Sequence, residues 1–378
     1  MTSDFISRQK EESRKDITKE EMYWEWLCSI PGIYRAQQEV LLKCFKTAEG
    51  IWNASEEELN HMMTRGRTWI EKIKNFRQQY TPDQIWHMHQ EKGIQFISCE
   101  NPGYPHRLHT IQNKPHGLFM KGQLPDNEQK SIGIVGARSC TREGKCMAER
   151  LSEETVHGGG CVISGGAYGI DGAAQWTALE CGGKSWAVLG CGVDYVYPRL
   201  HDRLFERLTE SGGIVSEFPP GTPPLAKHFP MRNRIISGLS DIVVVVEARK
   251  RSGSLITAEF AAEQGRTVMA VPGRPGDHLS EGCNELIAQG AGVILSPKSF
   301  AETIFPEQRK TGREFSEKFT LAPAEKLVYS SLGLHAKSVW ELEEGTALSL
   351  AELSRALLSL EMQGLIKEQD RNHYIRVK

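Results

Sequence analysis

The sequence predicts an α/β protein, a Rossmann-like and mainly parallel sheet flanked by a small helical domain before it and a winged-helix domain after it. Three observations carry this prediction. Between Ser131 and Pro297, apolar runs of strand length alternate with helical patterns, several runs are apolar almost without interruption, and glycine-rich turns stand where strands give way to helices. Alternation with helices implies crossover connections. Continuous apolar runs imply strands covered on both faces, as in a parallel sheet.

The elements follow in order. Residues 1–20 are rich in charge and are expected to form a disordered arm. Residues 21–80 carry short helical patterns around Leu27-Cys28-Ser29-Ile30-Pro31-Gly32-Ile33, a turn of the helix-hairpin-helix type. Its amides could hold a DNA phosphate, although packing alone also explains it. Residues 81–130 hold five prolines and one strand-like piece, Gly93 to Cys99, and read as a connecting layer packed on the core. In the central domain, 131–297, strands are expected at Ile132–Val135, Cys161–Ser164, Ser185–Leu189, Gly213–Glu217, Ile242–Glu247, Thr267–Val271 and Gly292–Leu295. Helices fall between them, notably Arg142–Val156, Ile170–Glu180, His201–Thr209, Met231–Leu239, Leu255–Gln264 and Asn284–Ala288. Residues 298–320 are charged and sparsely apolar, as expected of a linker. In 321–378, three short helical patterns precede a terminal hairpin, which is the winged-helix order.

Composition bounds the function only loosely. The chain has 46 Lys and Arg against 48 Asp and Glu, a net charge of −2, so an anionic partner must be held by a local basic patch. Its longest strongly apolar run, Ile242–Val246, is far short of the ~20 residues of a membrane helix. The first twenty residues lack an apolar signal core, so a cytoplasmic location without membrane insertion is expected. Nine cysteines without any Cys-x-x-Cys predict neither a disulfide framework nor a zinc site.

Candidate chemistry gathers at the predicted strand ends. Glycines cluster at Gly136, at Gly165-Gly166-Ala167-Tyr168-Gly169-Ile170-Asp171 and at Gly190-Cys191-Gly192-Val193-Asp194. Gly136, Gly166 and Gly169 could let the backbone approach an anion closely. No clean Gly-x-Gly-x-x-Gly and no Walker loop is present, so no dinucleotide or other cofactor is expected. Asp171 and Asp194 are either catalytic carboxylates or caps for backbone N–H groups. Arg138, in a Gly-x-Arg step before a helix, adds fixed positive charge where backbone dipoles already favour an anion. The alternative is a surface arginine paired with a carboxylate such as Glu143.

The densest signal is Lys227-His228-Phe229-Pro230-Met231-Arg232-Asn233-Arg234, followed later by Arg249-Lys250-Arg251-Ser252-Gly253-Ser254. From Lys227 to Arg251 there are six Lys or Arg and two acids. Cations with an aromatic between them suit a nucleic-acid single strand, since the charges neutralise phosphates and Phe229 offers a face to a base. Of Arg232 and Arg234, one is expected to be structural and the other to face the partner. Ser252, Gly253 and Ser254 form a helix N-terminus, suited equally to a phosphate contact or to capping. With no nucleophile–base spacing and no paired-carboxylate motif, catalysis has no sequence argument.

In this order, Ile134-Val135-Gly136-Ala137-Arg138, Ser164 to Asp171, Phe229 to Ser240, Ser252-Gly253-Ser254-Leu255-Ile256-Thr257-Ala258 and Ala270-Val271-Pro272-Gly273 resemble the DprA/Smf family of DNA-processing proteins. The resemblance covers essentially all of 131–297, and the flanks resemble that family's SAM-like N-terminal domain and C-terminal winged helix. It implies a non-enzymatic protein that binds incoming single-stranded DNA in natural transformation, protects it, loads the RecA recombinase, and forms homodimers through the Rossmann-like domain. It places the Gly-x-Arg arginine on Arg138 and the basic-aromatic element on Lys227 and Phe229. Gln175 departs from a usual His, and Gly166 from a usual Leu. The rival readings are a nucleotide-processing enzyme using Asp171 and Glu247, and a duplex reader using the winged helix. From Thr320 to Lys378 that last module has seven Lys or Arg and eight acids, which suits a protein contact better.

Overall fold

In the computed structural model, which describes residues 19–63, 68–306, 322–333 and 336–376, the strands of the main sheet are Gln95–Ser98 (β1), Gly117–Gly122 (β2), Ser131–Val135 (β3), Cys161–Ser164 (β4), Ser185–Val188 (β5), Gly212–Ser216 (β6), Ile242–Val245 (β7), Thr267–Ala270 (β8) and Gly292–Val293 (β9). Their order is β1-β2-β6-β5-β4-β3-β7-β8-β9. The seven from β3 onward are parallel, β2 runs antiparallel to β6, and β1 antiparallel to β2. Most of the expected arm lies outside the described residues.

Side-chain alternation divides the sheet between two cores. Trp186 and Val188 of β5 join Ile235, Ile236 and Leu239 of the helix His228–Leu239 on one face. Ala187 and Leu189 meet Leu179, Leu204 and Phe205 on the other. Both faces are dry, which explains why these strands read as unbroken apolar runs. The N-terminal helices, residues 19–29, Arg35–Phe45, Ala48–Asn53, Glu56–Met63, Ile70–Gln79 and Pro82–Glu91, belong to that second core through Trp26, Ile33, Leu41 and Ile51. Trp26 is anchored by its indole N–H to the Tyr80 carbonyl (3.1 Å) and edge-on to Trp52. The core therefore runs without a break across positions 80 and 130.

Two sequence expectations need correction. The connecting layer is part of the sheet: Leu118 packs into one core and Phe119 into the other, as successive residues of a strand must. The linker expected from residue 298 begins instead as a helix, Pro297–Ile304. Ser296 caps it by accepting the Ser299 N–H (3.0 Å), and Phe300, Ala301 and Ile304 line its buried side. Three apolar residues at helical spacing suffice to dock a short helix among charges. Residues 307–321 lie outside the described residues.

Contacts divide the chain after Pro306. The second unit has helices Pro323–Ser331, Val339–Thr346 and Leu350–Met362, with strands Lys337–Ser338 (β10), Ile366–Asp370 (β11) and His373–Arg376 (β12) in the order β10-β12-β11. Val328, Leu342, Leu353, Leu357 and Leu360 form its core. Ser338 with Glu341 and Ser349 with Glu352 form capping boxes that start the second and third helices. Among the described residues no helix is long and apolar enough to cross a membrane.

One ion pair ties the starts of β3 and β7 to the preceding segment. Arg107 donates to both Asp241 carboxylate oxygens (2.8 and 3.0 Å), and Asp241 also accepts the Ser131 N–H (2.8 Å). Burial opposes ionisation of Asp241, but these donors outweigh it and hold the carboxyl below its ordinary value. A lowered carboxyl pKa stabilises the fold above the unfolded value and loses that contribution as pH falls through the folded one. Asp241→Asn should therefore cost about 1–3 kcal/mol at neutral pH. In chemical denaturation, the gap from the native chain should narrow as pH falls below about 4.

Candidate nucleic-acid interface

Strand order reverses at β3. The chain steps outward through β4, β5 and β6, then returns past β3 to add β7, β8 and β9. Open α/β sheets take ligands in the crevice at such a reversal, beyond the strands' carboxyl ends. Here the chain fills the crevice itself. Glu247, two residues past β7, turns its carboxylate to the N-terminus of the helix Arg142–His157, accepting the Thr141 N–H (2.9 Å) and hydroxyl (2.5 Å). A helix N-terminus that would hold a phosphate holds a carboxylate instead. Glu247 as a candidate acid–base group is corrected by this geometry, since each oxygen is already engaged.

Beside the closed crevice stands an open cluster. Arg138 is exposed, and its guanidinium lies over the Phe229 ring at 5.4 Å from the centroid. The expected alternative, a pairing with Glu143, is not what the structure contains. Phe229 is half-buried and also leans on Tyr197 with centroids 5.5 Å apart. Lys227, at the N-cap of His228–Leu239, is exposed. Between the two, His228 turns inward and stacks on Phe218 (4.2 Å), so its neighbours are held outward. Arg249, Lys250 and Arg251 are exposed in the loop after β7. None of these five cations enters an ion pair among the described residues.

Two glycines make this arrangement possible. Gly169, at φ +75°, brings the β4 loop against the β3 loop; a Cβ there would stand 2.2 Å from the Ala137 carbonyl and 2.5 Å from that of Arg138. Gly190 admits the Phe229 ring, which would lie 2.9 Å from a Cβ. Gly136 and Gly166 are packed against side chains. Gly136 lies against Ile170, and Gly166 faces Phe205 while donating its N–H to Gln175 Oε1 (3.1 Å). Gly166 and Gln175 are thus partners of one another.

Arg232, Asn233 and Arg234 face inward, correcting the expectation that one of the arginines is turned outward. Arg232 is 4% exposed and donates to the carbonyls of Gly165 (2.9 Å) and Val188. Burial draws its guanidinium down to about 10, with Asp171 opposing, and it stays charged at neutral pH. Asp171 accepts the Gly165 N–H (3.0 Å), and burial pushes its carboxyl up against the pull of Arg232. Asn233 donates to the Gly253 carbonyl (3.0 Å). Arg234 pairs with Glu217 and donates to the Asn113 carbonyl (3.0 Å). Ser252 caps the helix Gly253–Glu263 and shares a hydrogen bond with Ser254 (2.8 Å), while Gly253 is exposed with open space around it. Asp194 accepts the Gly221 N–H through both oxygens (2.9 Å), the capping role.

Sequence reasoning passed over the loop tyrosines. Tyr168, Tyr195 and Tyr197, in the loops after β4 and β5, are each about 40% exposed. The signal was present in Tyr195-Val196-Tyr197-Pro198, two aromatics in an aperiodic turn with no pattern to bury them.

Fold and rim together define a Rossmann-like protein with an open ledge of cations and aromatic rings beside the carboxyl ends of its strands. Residues 95–305 match the family model described as DNA recombination-mediator protein A, and the chain belongs to that family. It is 32% identical to Protein Smf of Synechocystis over 94% of this chain and 99% of the relative. The DNA processing protein DprA of Streptococcus pneumoniae is 44% identical over 51% of this chain and 68% of its own. An X-ray structure of DprA from S. pneumoniae superposes with a TM-score of 0.62 at 34% identity, over 75% of this chain and 96% of that one. A structure of DNA processing protein A from Helicobacter pylori, described for its single-stranded DNA binding mode, gives 0.51 at 28% identity, over 56% and 97%.

The arginines should separate cleanly by stability. Arg232→Ala or Arg234→Ala leaves a buried acceptor network unpaired and should cost about 3–5 kcal/mol in urea unfolding, whereas Arg138→Ala should leave the midpoint unchanged.

Proposed function

We propose that this protein binds single-stranded DNA along the ledge of Arg138, Lys227 and Phe229, and acts as a recombination mediator that protects incoming strands and loads RecA onto them. The observation that carries the reading is the Arg138–Phe229–Tyr197 cluster at an exposed rim, with Lys227 exposed at the start of the same helix as Phe229. Guanidinium and ammonium groups neutralise successive phosphates, and a half-exposed ring accepts a base face that only an unpaired strand can offer. Gly253 and the Ser252 hydroxyl supply a further phosphate contact. Arg232, Asn233 and Arg234 contribute by holding the ledge in place.

The related H. pylori protein is described as binding single-stranded DNA, which supports the same partner here. Action as a cytoplasmic homodimer through the Rossmann-like domain, without catalysis, completes the reading. The enzymatic alternative loses its candidate groups, because Asp171 and Glu247 are both spent on internal donors. Residues 21–80 are read as the SAM-like domain and 321–378 as a winged helix, the latter contacting protein rather than duplex, given its acidic balance.

Titration of labelled oligo(dT) at several salt concentrations tests the site. Arg138→Ala and Lys227→Ala should each weaken binding and reduce the salt slope by about 0.7. Phe229→Leu should weaken it at unchanged slope, by about 1–3 kcal/mol per lost stack. Unaltered affinity and slope in all three variants would remove this ledge from the account. RecA nucleation on strands precoated with single-strand-binding protein should accelerate with the native chain and not with Arg138→Ala.

A further inference from the structure

We propose that Glu153, His157 and Cys181 form a Zn2+ site at the end of the sheet opposite the ledge. Their ligand atoms lie within 4.8 Å of one another. Glu153 and His157 stand one turn apart near the end of the helix Arg142–His157, and Cys181 is the C-cap of the helix Ile170–Glu180. Both helices lead into the amino ends of strands, β4 and β5, whereas the ledge lies at the carboxyl ends.

The surroundings fix the two helix ends that carry these groups, while the Glu153 and His157 side chains are exposed. Ser152 donates its hydroxyl to the Ala174 carbonyl (2.6 Å), which fixes one helix against the other. Gly183, two residues past the cysteine, lies so close to Val156 that a Cβ would stand 2.4 Å from its methyl. The Cys181 N–H is held by the Thr177 carbonyl (2.9 Å). The ligand-bearing ends of both helices are therefore set before any ion arrives, and coordination orders little more than three side chains.

The donor set selects the ion. A thiolate, an imidazole nitrogen and a carboxylate match Zn2+, which takes four such ligands in a tetrahedron, while Mg2+ and Ca2+ require oxygen shells. Three protein ligands leave the fourth position to water. Binding forms a Zn–S bond as the Cys181 thiol releases its proton to solvent, with no change of oxidation state. The ion would clip the ends of two neighbouring helices together and so stabilise the folded chain by mass action.

The test uses the full chain after chelator treatment. Co2+ serves as the spectroscopic probe, and Zn2+ competes with a chromophoric chelator. One equivalent of Co2+ should give a near-ultraviolet thiolate-to-metal band that Cys181→Ser abolishes. His157→Ala should weaken Zn2+ binding at least about tenfold. Zn2+ should raise the melting temperature of the native chain but not of Cys181→Ser, with both variants keeping the native circular dichroism. Mg2+ should do neither. An undiminished band in Cys181→Ser, or no Zn2+ uptake by the native chain at micromolar concentrations, would overturn the proposal.

Discussion

A buried positive charge holds the rim at the carboxyl ends of the strands together. Arg232 draws the carbonyl ends of β4 and β5 toward one guanidinium through Gly165 and Val188. Removing such a charge from water is costly, and the nearby Asp171 offsets part of that cost. The same helix carries Phe229 on its first turn. The β4 loop carries Gly169, which presses on the backbone of Arg138. The exposed ledge is thus oriented by groups that never reach solvent, so an arginine can matter for binding without touching a ligand.

The crevice at the strand reversal holds a carboxylate of the chain itself. Glu247 places a carboxylate beside a helix N-terminus of the kind that receives a phosphate, held by the N–H and hydroxyl of the capping Thr141. One step outward stand Arg138 and Lys227, without an ion pair among the described residues, with the rings of Phe229 and Tyr197. An enclosed crevice suits a compact nucleotide, whereas a ledge suits a chain that continues past its ends. The proposed single-strand partner follows from that difference in shape as much as from charge.

Several features were legible from residue order because they depend on local physics. The dry strands declared themselves as apolar runs, the helix after β3 began at the Thr141 cap, and the helix Ile170–Glu180 fell where its periodicity placed it. What misled were elements whose signal is weak over a few residues. β2 was hidden among prolines, and the helix Pro297–Ile304 among charges, each recognisable only by what it packs against.

By itself the sequence determined the mainly parallel α/β architecture, the family, and the place of Arg138 at a strand end, because burial pattern and turn chemistry act over neighbouring residues. Only the tertiary structure decided which charges are available. Arg232 and Arg138 both lie over the Phe229 ring, yet one is buried on carbonyls of two strands and the other is exposed. It also decided that Glu247 closes the crevice and that Glu153, His157 and Cys181 meet across two helices. Such contacts join residues dozens to more than a hundred positions apart, and their energy depends on distance in space, which linear spacing does not encode.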